Sequence, residues 1–244
     1  MFTCSASRGL PVPEWPQLHP TLRAVMSEPQ AAPTADDNGA APSSTDESAA
    51  TRKRPKPGER RTQILQTLAA MLEQPGAERV TTAALAAQIQ VSEAALYRHF
   101  ASKAQMFEGL IDFIEQSVFT LVNQITEREP AGPAQAHKIV SVLLQFGEKN
   151  PGMTRVMVGD ALVHEHERLL ARMNLFFERI ESQLRQCLRL ASDAAGSSTP
   201  TMDANAQASV LTAFCVGRLQ RYARSGFKRM PTEHLEAAKK MLIG

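Results

Sequence analysis

The twenty residues Thr81–Phe100, TTAALAAQIQVSEAALYRHF, constrain the chain more than any other stretch. Leu85 and Ile89 lie four apart, and so do Leu96 and Phe100. On a helix that spacing puts each pair on one face, so the stretch reads as two short amphipathic helices. Thr81 or Thr82 can cap the first helix and Ser92 the second, because a hydroxyl there satisfies a backbone N–H that has no partner inside the helix. Ala83, Ala86 and Ala87 are small enough for the second helix to cross closely over the first. Two short helices crossing at a tight turn are a helix-turn-helix, whose second helix fits the major groove of DNA while the first crosses the backbone.

Charge supports that direction only when it is divided along the chain. The formal net charge of the 244 residues is +2. Residues 52–103 carry nine bases and four acids, a net +5, whereas residues 1–51 carry −4 and the remainder +1. Positive charge is concentrated around the helix-turn-helix, as a phosphate-facing surface requires. It includes a basic arm, Arg52-Lys53-Arg54-Pro55-Lys56-Pro57-Gly58-Glu59-Arg60-Arg61, placed to contact phosphates or the minor groove.

The rest of the sequence is all-α in pattern, with aromatics at 5 % and no alternating apolar strand. Residues 1–51, with seven prolines and an Ala/Ser/Thr/Asp-rich second half, read as a disordered tail. Trp15 and Leu18 stand out in it, and Met26 is a plausible alternative start. A helix from about Arg60 to Glu73, stopped by Pro75-Gly76, completes a three-helix head. Ser102, with Gln105 three residues on, opens a connecting helix of about 25 residues, in whose first turn Lys103 sits. A cation at that end opposes the helix dipole, so a phosphate partner is one reason to find it there.

Beyond a break at 127–132, Pro133 begins a helix ended by Asn150-Pro151-Gly152. A short helix through Val156, Leu162 and Val163 follows, then long amphipathic helices at about 164–190 and 202–224, separated by a linker at 193–201. Thr232 with Glu233 should open a last helix. The two long helices, with Val210 and Phe214 on the stripe of the second, suit a four-helix interface across a two-fold axis. The expected division is a tail (1–51), an arm with the DNA-binding head (52–103) and a helical dimerisation and partner-binding body (104–244).

Catalytic and metal chemistry finds little support. Asp160, His164 and Glu167 would share a face if helical, but one histidine in a surface triad reads as a polar patch. There is no His-Glu-x-x-His, Gly-rich phosphate loop or Gly-x-Ser-x-Gly elbow. Cys4, Cys187 and Cys215 have no metal-type spacing, and an odd, scattered set fits a reducing cytosol. No apolar run approaches membrane-spanning length and no secretory leader is visible, so a soluble, cytoplasmic chain without cofactor, metal or membrane partner is expected.

The stretch Thr81–Lys103, ending Leu96-Tyr97-Arg98-His99-Phe100-x-Ser102-Lys103, resembles the TetR family of dimeric DNA-binding regulators. Three segments, Val91–Phe100, Phe146–Gly152 and Phe177–Gln186, are similar to the nucleoid occlusion factors within that family, and the likeness spans about Arg60 to the end. It implies a homodimer that binds palindromic double-stranded DNA, forms higher assemblies on it, and there antagonises polymers of the division protein FtsZ. By the same resemblance Thr81 and Thr82 lie at the phosphates, Ser92, Glu93, Ala94 and Ala95 face the groove, and Tyr97, Arg98, His99 and Lys103 complete the DNA-facing set. The implied FtsZ surface, between the connecting helix and its neighbour, points to Phe113, Lys149 and Asn150. Two positions depart from the pattern: Gln90 stands where the turn usually has glycine, and Leu121 where an arginine is expected. A ligand-responsive repressor with an apolar cavity in the body is the alternative reading.

Overall fold

The computed structural model describes residues 58–74, 79–130 and 132–243. The tail, Trp15, Leu18, Met26, Cys4, the arm through Pro57 and the Pro75-Gly76 stop lie outside the described residues. Among the described residues the regular structure is helical: α1 (Glu59–Leu72), α2 (Thr82–Gln88), α3 (Glu93–Tyr97), α4 (Lys103–Arg128), α5 (Pro133–Lys149), α6 (Pro151–Met157), a 3-10 turn (Asp160–Leu162), α7 (Glu167–Ala194), α8 (Pro200–Arg224) and α9 (Leu235–Leu242).

The apolar stripes meet as their spacing demands. Ile64, Leu65, Leu68 and Leu72 of α1 are buried with Leu85, Ile89, Leu96 and Phe100, which makes the small core of the head. Arg61 fastens this core from outside: its Nη1 donates to the His99 carbonyl at 2.9 Å, and its guanidinium lies 4.0 Å from the centre of the Phe100 ring. Ser102 accepts a bond from the Gln105 N–H at 3.2 Å, and Gln105 Oε1 accepts from the Ala101 N–H at 2.8 Å, a reciprocal cap that starts α4.

Helix α4 runs 26 residues into the body, where Phe107, Phe146 and Phe176 are among the largest fully buried side chains. Helices α7 and α8 pack along one another, and α5 lies against both. Gly152 in the first turn of α6 sits directly on α1, where an added Cβ would come 2.1 Å from the Ala69 carbonyl oxygen. Only a hydrogen fits between those two helices. Cys187 and Cys215 occupy core positions, and burial pushes their thiols up to about 11 and about 12.

Several boundaries differ from the sequence expectation. The short helix stops at Met157 rather than continuing to Val163, because Gly159 turns left-handed (φ +85°) and Val163 is exposed. Helices α7 and α8 extend into the supposed linker, with Pro200 at the first position of α8, leaving residues 195–199 between them. Thr232 does not cap the last helix. Its hydroxyl bonds the Glu148 carboxylate on α5, and α9 begins only after His234 at φ +54°. On α8, Leu211, Cys215 and Leu219 are buried, but Val210 is 52 % exposed and Phe214 only half-buried.

Candidate nucleic-acid interface

The turn between α2 and α3 is closed by a pair of backbone bonds. Gln90 N–H donates to the Ala87 carbonyl at 3.1 Å and Val91 N–H to Ala86 at 3.0 Å, the paired bonds of a Schellman ending. That ending needs a left-handed residue after the cap, and Gln90 supplies it at φ +57°. A side chain there costs about 1 kcal/mol relative to glycine, which the two bonds and the buried Ile89 offset.

Thr81 is the cap of α2, its hydroxyl accepting from the Ala84 N–H at 3.2 Å, so Thr82 occupies the first helical position. Thr82 Oγ1 donates instead to Glu93 Oε2 at 2.7 Å and ties the start of α2 to the start of α3. Ser92 stands at the N-cap of α3 with extended backbone (φ −77°, ψ 153°), but its side chain makes no cap bond. Ser92, Glu93 and Ala94 are all exposed, Ala95 is half-buried, and Leu96 turns into the core. Tyr97, Arg98 and His99 are exposed beyond it. The second helix therefore presents a shallow face of hydroxyl, carboxylate and methyl groups, flanked by a phenol, a guanidinium and an imidazole. Small exposed side chains of this kind suit a groove, and the donors at its edge suit phosphate. A cleft of about 180 Å³ between α1 and α3 adds Arg60 beside Arg98 and His99 at its rim, over Ile64, Ile89, Val91 and Leu96.

Lys103, expected to reach the same backbone, is held within the chain. Its ammonium pairs with the Glu165 carboxylate and lies 5.7 Å from the centre of the Phe107 ring. Periodicity could not have shown this contact, because Glu165 is 62 positions away.

Comparison with known proteins decides the family. Residues 64–110 match the bacterial regulatory proteins of the tetR family, and residues 134–244 a tetracyclin repressor-like C-terminal domain of SlmA type. The nucleoid occlusion factor SlmA of Idiomarina loihiensis is 49 % identical over 178 residues, 73 % of this chain and 90 % of that protein. SlmA of Klebsiella pneumoniae is 51 % identical over 179 residues, with the same coverage. The chain belongs to the SlmA family of nucleoid occlusion factors. Its DNA-binding head is thus of TetR type. A solved structure, the fatty acid degradation regulator FadR from Bacillus halodurans, shares the fold: TM-score 0.62 at 14 % identity over 78 % of this chain and 97 % of that one.

The SlmA resemblance singles out Phe113, Lys149 and Asn150; the latter two end α5, Phe113 lies on α4 beside Phe146 of α5, and the three are in unequal states. Phe113 on α4 is 8 % exposed, its ring 6.4 Å from that of Phe146 on α5. Asn150 is 4 % exposed, and its Nδ2 donates to the Phe146 carbonyl at 2.7 Å. Lys149 is half-buried, as is Leu121 on α4. The aromatic and the amide are thus committed to the fold, and Lys149 is the member of the set with side chain at the surface.

The triad Asp160, His164 and Glu167 does not form. Its spacing needs continuous helix, whereas His164 lies in the irregular link between the 3-10 turn and α7. Among the described residues no group of three or more His, Cys, Asp or Glu side chains could hold a metal ion, and no helix is long and apolar enough to cross a membrane.

Proposed function

We propose that this SlmA-family chain binds palindromic double-stranded DNA as a homodimer and, while bound, antagonises FtsZ polymers. The division ring is thereby kept from assembling over the nucleoid, on which the protein resides in the cytoplasm. The role is one of binding and placement, without chemistry or cofactor. The observation that carries the reading is the extent of the SlmA match. It runs through 90 % of the relatives' length, body included, where a gene regulator sharing only the head would diverge.

The geometry supports the DNA-binding and pairing parts. Thr81, Thr82, Ser92, Glu93, Ala94 and Ala95 lie around the helix crossing that a major groove would receive, with Tyr97, Arg98 and His99 at its phosphate edge. On α8, Val210, Ala213 and Gly217 recur at three- and four-residue spacing on the exposed side, and a Cβ at Gly217 would meet nothing. That open stripe of small and apolar residues suits close packing against the same helix of a second copy. FtsZ would then be met beside α4 and α5 by Lys149, over a floor shaped by Phe113 and Asn150.

The test is sedimentation of FtsZ polymers with the full chain, in the presence and absence of duplex DNA that the chain has itself selected from genomic fragments. DNA-enhanced loss of pelleted FtsZ is expected. Equal pelleting with and without the selected DNA would overturn the division-inhibitor reading and leave a DNA-binding regulator.

A further inference from the structure

The carboxylate that holds Lys103 belongs to a ladder. Helix α4 is fastened to the start of α7 by Arg168 Nε to Glu108 at 2.8 Å, and by Arg172 Nη2 to Asp112 at 2.6 Å and Glu115 at 2.7 Å. In these rungs α4 supplies the acid and α7 the base. The Lys103–Glu165 rung reverses the polarity. Lys103 is the one base on α4 before Arg128, and it stands at the end of the helix nearest the recognition unit. It also stands where the helix dipole opposes a cation, so an anion must compensate it. In the structure that anion is Glu165, whose side chain is only 10 % exposed against 26 % for Lys103.

The lysine stem is flexible, and a carboxylate already paired with its ammonium offsets the charge that a phosphate beyond the head would otherwise meet. We propose that Glu165 stands in for a DNA phosphate: it holds Lys103 in the free chain and gives it up when DNA binds. The exchange rests on the reading of the head as a DNA-binding unit with Lys103 at the backbone. It makes Glu165 an autoinhibitory residue that sets the threshold for DNA binding without touching DNA. It also gives DNA occupancy a path into the body. Once Lys103 leaves, a nearly buried carboxylate has lost its partner ammonium, and the link Val163–His166 that carries it must admit water or shift at the entrance to α7. The Glu165 N–H bond to the Leu162 carbonyl (3.0 Å) keeps that movement anchored to the 3-10 turn.

The test is fluorescence anisotropy of the full chain on a mixed-sequence duplex of about 30 base pairs, because a phosphate contact acts on any sequence. Glu165→Gln should tighten binding roughly three- to tenfold near 0.1 M salt, the range expected when one charge-assisted competitor is removed. In a Lys103→Met background the same substitution should change nothing. Glu108→Gln breaks the neighbouring rung and removes the same charge, and should leave affinity within about twofold. Unchanged or weaker binding by Glu165→Gln overturns the exchange. So does equal tightening by Glu108→Gln or in the Lys103→Met background, which would be a general charge effect. A parent chain that binds no duplex at all would instead overturn the reading of the head.

Discussion

The turn between α2 and α3 and the junction between α5 and α6 both join helices within a few residues, yet they use their side chains in opposite ways. The first is closed by two backbone bonds from Gln90 and Val91, and Ser92, Glu93 and Ala94 stay exposed, Glu93 with one oxygen bonded to Thr82. The second has a single linking residue. Asn150 caps the end of α5 and precedes Pro151, which biases it to the non-helical backbone seen there (φ −131°, ψ 72°). Its amide binds the Phe146 carbonyl, and the Thr154 hydroxyl binds the Gly147 carbonyl at 2.8 Å. Asn150 and Thr154 are both turned inward, and Lys149 beside them reaches the surface. A backbone-closed turn leaves residues available to a partner, and a side-chain-closed junction consumes them.

The largest expected effect tests how tightly the second junction is built. Gly152→Ala gains about 1 kcal/mol of helix propensity but sets a methyl against the Ala69 carbonyl, with no side chain able to yield. The clash wins, and urea denaturation should show a loss of about 2–3 kcal/mol. Wild-type stability in this variant would mean that α1 and α6 can part freely and the junction is not the rigid element the comparison makes it.

Next in size is the split between Asn150 and Lys149. Asn150→Ala strands the buried Phe146 carbonyl and should cost about 1–3 kcal/mol of stability. Lys149→Ala should stay within about 0.5 kcal/mol of the parent. In FtsZ sedimentation, Lys149→Ala should lose DNA-enhanced inhibition while it remains fully folded. Retained inhibition would show that the junction presents nothing to FtsZ.

The same contrast explains what could be read from the sequence. In the head, i, i+4 pairs set the core, small residues set the crossing, and hydroxyls mark the caps, so Leu85, Ile89, Leu96 and Phe100 fall inside as local spacing requires. Thr81 caps as expected. Ser92 takes the cap position but makes no side-chain cap bond, a detail that spacing cannot decide. In the body the decisive contacts are remote in sequence. Thr232 looked like a helix start because a hydroxyl before an acid is a local signal, yet Glu148 claims it across 84 positions. Lys103 was expected at a phosphate from its local place in the first turn of a helix, and Glu165 claims it across 62 positions. Phe113 and Asn150 came from resemblance alone, and resemblance does not say which atoms the protomer keeps for itself. Val210 was assigned to the apolar stripe by period, which is blind to whether the covering helix belongs to this copy or to another.

A smaller effect is expected at Thr81. Thr81→Ala removes the side-chain cap of α2 and should lower stability by about 1 kcal/mol in thermal or urea unfolding. The buried Leu85 and Ala86 should keep the helix in place, so DNA affinity measured on any duplex should fall less than it does for Lys103→Met. A change in stability below about 0.3 kcal/mol would mean that the backbone closes this end of the unit as well as the turn.

The smallest effect concerns Gln90 and bears most directly on how the first turn is closed. A left-handed non-glycine residue costs about 1–2 kcal/mol, and glycine returns about 0.4–1 kcal/mol of that to the entropy of the unfolded chain. Gln90→Gly should therefore stabilise the head by about 0.5 kcal/mol, with DNA affinity kept within about twofold. A loss of stability would mean that the Gln90 side chain, not the pair of backbone bonds to Ala86 and Ala87, holds the turn. The two ways of joining helices would then be one. A gain leaves the turn as a backbone device that tolerates glutamine, in contrast to Gly152, where the space admits no side chain at all.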